Sequence, residues 1–213
     1  GRDAGPVPRR AVLLVEGDQG TVGVDARRQP GVLEAHERQQ AKREPEAPAP
    51  QPESLPRSDA QSHEIVHQWF GNHATEKSFA HLWLSEGFAT YLTHIYTESK
   101  SGTGILNSRM RSDRDVVLEF VKSRKRPVVD TTSNFMLLLN ANSYQKGSWV
   151  LHMLRRELGD SVFHAVIRNY YATYAGRNAD TKDFQAIVEA HASKKLDRFF
   201  QQWLYTPVNP QLG

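Results

Sequence analysis

Two histidines four residues apart, with a glutamate directly after the first, are the side chains of this 213-residue chain best placed to do chemistry. They stand in His63-Glu64-Ile65-Val66-His67. Ser58 with Gln61 three residues on forms a capping box that predicts a helix over about 59–70, stopped by Gly71-Asn72. On a helix, residues i and i+4 lie one turn apart on one face, so both imidazoles can reach one metal ion at about 2.0–2.1 Å. Glu64 is rotated from His63 by about 100°, near enough to touch a water at that ion without being a ligand itself. The pattern H-E-x-x-H arises by chance in roughly one chain in fifty of this composition. A polar helix with two unrelated histidines is therefore the alternative that the pattern alone leaves open. A tetrahedral catalytic zinc also needs a third protein ligand and one open position.

Eighteen residues follow His67, and then comes Glu86, within Leu82-Trp83-Leu84-Ser85-Glu86-Gly87-Phe88-Ala89-Thr90-Tyr91. Ser143-Tyr144-Gln145-Lys146-Gly147 follows, with Tyr144 standing 58 residues beyond Glu86. With His67-Gln68-Trp69-Phe70-Gly71-Asn72 and the C-terminal run Asp197-Arg198-Phe199-Phe200-Gln201-Gln202-Trp203-Leu204, these segments resemble the M1 aminopeptidase family of gluzincin metallopeptidases over about residues 60–213. The resemblance implies a zinc-dependent peptidase holding one Zn2+ per chain through His63, His67 and Glu86, with water in the fourth position. It implies Glu64 as the general base that takes the water's proton and later hands it to the leaving amine. It gives the Tyr144 hydroxyl the role of stabilising the oxyanion, a placement typically worth ~3–4 kcal/mol. The implied substrates are peptides, from which N-terminal residues are removed.

The chain departs from the family in one respect. Nothing in it resembles the Gly-x-Met-x-Asn segment with which the family meets a substrate's free amine, or the strands that lead into the H-E-x-x-H helix. The substrate-binding residues are thus unassigned. Two other readings stay open: a zinc-binding fragment with little or no activity, and a domain that only binds partners through its helices or its tail.

The elements that must position these side chains lie in one part of the chain. Residues 1–62 contain no Phe, Trp or Tyr, whereas all twenty aromatics lie in 63–213; eight of eleven prolines lie in the first 62. Without aromatics the first part buries too little apolar area to offset its ordering entropy. Residues 1–57 are expected to be a disordered, Pro-rich segment, and 58–213 a partial peptidase catalytic domain. The expected fold class is mainly α, and the resemblance implies a thermolysin-like gluzincin catalytic domain lacking most of the N-terminal sheet. Helices are expected at about 82–99, 107–124, 143–158, 160–174, 182–192 and 195–204. Thr181 is the expected cap of the helix at 182–192, and Pro127-Val128-Val129 reads as extended. Trp69, Phe70, Trp83 and Phe88 read as core. His73, His81, His94, His152, His164 and His191 lack ligand spacing and read as surface or satisfied histidines. Lys122 to Arg126 reads as a solvated helix end, and Lys146 as local packing or helix surface.

Composition excludes further classes. The net charge of +3 is too small to argue for nucleic acid. The absence of cysteine removes disulfides, thiolate zinc sites and thiol catalysis. No apolar run approaches ~20 residues, so no membrane span is expected, and no signal peptide is visible. Compartment and oligomeric state are unassigned.

Overall fold

Helices dominate the computed structural model, which describes residues 58–132, 134–207 and 209. The disorder expected of residues 1–57 falls outside the described residues. Helix α1 (Asp59–His67) starts at Ser58, whose hydroxyl accepts the Gln61 N–H at 3.2 Å. It ends at His67 rather than near residue 70. Gln68 and Trp69 tighten the last turn by bonding back to Ile65 and Val66, and Gly71 then reverses the chain at φ +117°. Strand β1 (Ala74–Glu76) pairs in parallel with β2 (Arg177–Ala179), Ala74 opposite Arg177. This is the whole of the sheet among the described residues.

Helices α2 (Trp83–Ser101) and α3 (Thr103–Ser123) are separated by Gly102 at φ +82°. Helix α3 thus begins four residues earlier than the expected 107. After it come α4 (Gly147–Leu158), α5 (Asp160–Tyr174), α6 (Thr181–Ala192) and α7 (Asp197–Phe200). Residues Asn142–Lys146 and Gln201–Tyr205 form wider π-helical turns. No strand forms at Pro127-Val128-Val129. That segment is instead a buried connection, in which Val129 N–H donates to the Leu204 carbonyl at 2.9 Å. Nor is Thr181 the cap of α6. Asp180 accepts the N–H groups of Lys182 and Asp183, and the Asp183 carboxylate accepts the Asp180 N–H, a reciprocal box. Thr181, fully buried, accepts instead from the Trp83 indole at 2.9 Å.

Helix α2 runs through the core. Phe88 packs against Phe70, Tyr170 and Phe184 at 4.9–5.4 Å between ring centres, and Trp83 against Phe184 at 5.8 Å. Phe70, Trp83 and Phe88 are buried, as read from the sequence, and Trp69 packs partly buried on the same cluster. Against α4 the backbones touch. A Cβ on Gly87 would stand 2.9 Å from Gly147 Cα, and one on Gly147 would stand 2.9 Å from Gly87 Cα. Both glycines are therefore required by space: the obstacle is main chain, which cannot swing aside. Gly104, by contrast, has open space around its missing Cβ.

Gly147→Ala is expected to lower stability by about 1–3 kcal/mol through overpacking. Gly104→Ala is expected to raise it by up to about 1 kcal/mol by restricting the unfolded chain. Urea unfolding of both variants beside the parent checks the pair.

Candidate metal centre

Helix α1 presents His63 and His67 on one face, and the first turn of α2 brings Glu86 to meet them. His63 Nε2 lies 3.0 Å from His67 Nε2, and each nitrogen lies 3.2 Å from Glu86 Oε2. Corners of a tetrahedron around an ion with ligands at about 2.0–2.1 Å are about 3.3 Å apart. The triangle therefore has the size of one face of a tetrahedral zinc shell. It is the one group of three such side chains, among the described residues, whose ligand atoms converge.

The donor chemistry agrees. His67 Nδ1 lies 3.0 Å from the Phe70 carbonyl. A carbonyl only accepts, so Nδ1 carries the hydrogen, and in the neutral ring Nε2 is left with its lone pair toward the triangle. Gly71 makes this contact possible, since a Cβ there would stand 2.9 Å from His67 Nδ1. Burial alone would raise the Glu86 carboxyl, but hydrogen bonds and charge from His63 and His67 in their protonated forms outweigh it and hold it at about 2. Glu86 is thus ready as an anionic ligand.

Glu64 and Tyr144 wall the same cleft, which has a volume of about 820 Å³. Glu64 is exposed. The Tyr144 ring is nearly parallel to that of His63, 6.0 Å away. Burial first, then the negative charges of Glu86 and Glu64, push its phenol up to about 12, so the hydroxyl is a donor at neutral pH. Tyr144 belongs to the π-helical turn Asn142–Lys146. Asn142 Nδ2 donates to the Arg126 carbonyl at 2.8 Å and Ser143 Oγ to the Leu138 carbonyl at 2.7 Å, which pins the turn. Gly147 ends the turn and Gly87 follows Glu86, so the backbone contact between these glycines fixes how far Tyr144 stands from the triangle.

Two pairs in the cleft are invisible to sequence spacing. Arg109 on α3 clamps Asp59 through both terminal nitrogens at 2.6 and 2.9 Å, and Asp113 on α3 bonds His94 on α2 at 3.0 Å. Of the other histidines, His73 meets the Tyr171 hydroxyl, His81 meets Thr181 and His152 meets Tyr91. Arg126 is not free in solvent but pairs with Asp130. Lys146 is not on a helix surface: it is 1% exposed, and its ammonium has no hydrogen-bond partner.

The model of the peptidase family M1 domain matches residues 56–203. Aminopeptidase M1 of Arabidopsis thaliana is 33% identical over 150 residues, which cover 67% of this chain and 17% of that protein. Aminopeptidase N of Lactococcus lactis subsp. lactis is 29% identical over 160 residues, 70% of this chain and 18% of that protein. The crystal structure of an M1 zinc metallopeptidase from Deinococcus radiodurans superposes with a TM-score of 0.62 at 27% identity, over 75% of this chain and 36% of that one. The chain thus spans less than a fifth of the length of these two sequence relatives.

Burial lowers the Lys146 amine from 10.5 to about 8. Between these values the unfolded chain holds a proton that the folded chain has released, so stability rises with pH across that window; below it, the buried charge weighs against the fold in full. Lys146→Met is expected to abolish the rise and to gain on the order of 2 kcal/mol at pH 7. Thermal unfolding from pH 7 to 10.5 checks it.

Proposed function

Since the chain belongs to peptidase family M1, we propose that it carries the zinc-binding and hydrolytic part of an aminopeptidase acting on peptides with free N-termini. The observation that carries this reading is the triangle of 3.0, 3.2 and 3.2 Å between His63, His67 and Glu86. These three side chains would hold one zinc ion. When bound there, zinc supplies a Lewis acid for the scissile carbonyl and makes hydroxide available at neutral pH.

The chain's own residues do the rest. Glu64, one position after His63 and exposed in the cleft, accepts the proton that the attacking water must lose, then returns it to the amine nitrogen as the peptide bond breaks. Tyr144 donates its hydroxyl hydrogen to the substrate's carbonyl oxygen as negative charge grows there. Its hydrogen bond strengthens as the transition state forms, so its removal acts on turnover more than on binding.

An aminoacyl-arylamide assay of the zinc-loaded chain tests the reading. Hydrolysis is expected, with Glu64→Gln lowering kcat by at least about 10²-fold while zinc content stays unchanged. Tyr144→Phe is expected to lower kcat by about 10²–10³-fold with little change in KM. A chain that binds zinc but hydrolyses neither arylamides nor peptides would instead be the inactive zinc-binding fragment. Release of internal fragments from an N-blocked peptide would make it an endopeptidase.

A further inference from the structure

We propose that the Arg109–Asp59 ion pair is a positioning clamp for the metal-binding helix, holding the first turn of α1 where His63 completes the triangle with His67 and Glu86. The proposal rests on the metal reading above and adds two residues that set the affinity and geometry of that centre without touching the ion.

The two ends of α1 are held in different ways. At the C-terminal end Phe70 is buried in the aromatic core, the Gly71 N–H donates to the Ala74 carbonyl at 2.9 Å, and the Phe70 carbonyl meets His67 Nδ1. Core and main chain thus fix His67. At the N-terminal end Asp59, Ala60 and Gln61 are exposed. Ser62 is buried, but its hydroxyl donates back to the Ser58 carbonyl, within the same turn. This turn has no large apolar side chain to anchor it. A helix of nine residues is marginal on its own hydrogen bonds, so the place of its first turn depends on tertiary contact.

Asp59 supplies a contact aligned with the ligands. Asp59, His63 and His67 stand at i, i+4 and i+8, one stripe of α1. Arg109 reaches that stripe from α3 and holds both Asp59 oxygens, at 2.6 and 2.9 Å. A single exposed ion pair contributes little, whereas a guanidinium paired with a carboxylate through two bonds fixes direction as well as distance. The Asp59 side chain is 57% exposed and that of Arg109 22%, so the arginine is the more firmly placed partner. Its helix is fixed in turn. Leu106, Met110 and Val117 of α3 are buried, and Asp113, one turn after Arg109, bonds His94 of α2 at 3.0 Å. Glu86 lies on that same helix, eight residues before His94. Contacts therefore run from α1 through α3 to the helix that bears the third ligand, at the end of α1 that the Gly71 turn does not hold.

The test measures zinc affinity by competition with a chromophoric chelator for the parent, Asp59→Asn, Arg109→Gln and the double variant, and records the visible spectrum of each with cobalt(II) in place of zinc. A mere effect of charge would move the single variants in opposite directions, since losing an anion weakens cation binding and losing a cation tightens it. The clamp predicts that both weaken zinc binding, by about tenfold, and that both alter the cobalt bands at a temperature where circular dichroism shows the parent's helix content. The double variant is expected to bind no more weakly than either single one, because both remove the same contact. Asp59→Asn is isosteric at an exposed residue, so its cobalt spectrum decides alone if Arg109→Gln loses helix content. Zinc bound by Arg109→Gln as tightly as by the parent, losses that add in the double variant, or a parent-like cobalt spectrum in Asp59→Asn overturns the clamp and leaves the metal reading intact. A folded parent that binds neither metal overturns the metal reading, and the clamp with it.

Discussion

Two imidazole nitrogens and a carboxylate oxygen held within 3.2 Å of one another are the constraint on which this fold turns. Lone pairs and negative charge at that distance repel unless a proton or a cation lies among them. Such an arrangement persists only where the surrounding structure fixes each group. Here the Phe70 carbonyl orients His67, the helical repeat of α1 holds His63 one turn away, and α2 carries Glu86 from inside the core. The site is therefore built on rigid helices, with the Gly71 turn as the one loop element that must approach closely.

Helix α2 joins the two functions of the domain. One face, with Trp83, Phe88 and Tyr91, packs the aromatic core, while another, with Glu86, Thr90, Thr93 and His94, walls the cleft. A helix so deeply packed cannot shift without cost, which makes it a fixed reference for the residues around it. The glycine contact extends that reference to α4 and so to the π-helical turn bearing Tyr144. Wide turns of this kind are uncommon in helical proteins and recur at functional sites. This one is pinned at Asn142 and Ser143, which keeps its conformation independent of any ligand.

The candidate site was legible because its parts are short-range in sequence. His63, Glu64 and His67 share one helical turn, Glu86 lies in a strongly patterned helix, and Tyr144 lies in a distinctive short segment. The mainly helical fold followed from apolar periodicity for the same reason. What escaped depended on distant partners. Strands β1 and β2 are three residues each and pair across about a hundred residues, so neither carries a pattern of its own. Asp180 rather than Thr181 caps α6 because two carboxylates can box one helix start, and because the Thr181 hydroxyl is taken by Trp83 and His81. Lys146, read as local packing or helix surface, is buried, and nothing in its sequence neighbours chooses between the two. The pairs of Arg109 with Asp59 and of His94 with Asp113 span fifty and nineteen residues, too far apart for local spacing to show them.

Whether His63, His67 and Glu86 together hold one zinc ion is read out by zinc stoichiometry in native mass spectrometry. The parent chain, and His67→Ala folded to the same helical content by circular dichroism, are each equilibrated with zinc and desalted. One zinc per parent chain and none in His67→Ala is the expected result. A folded parent without zinc, or zinc retained undiminished in His67→Ala, would contradict it.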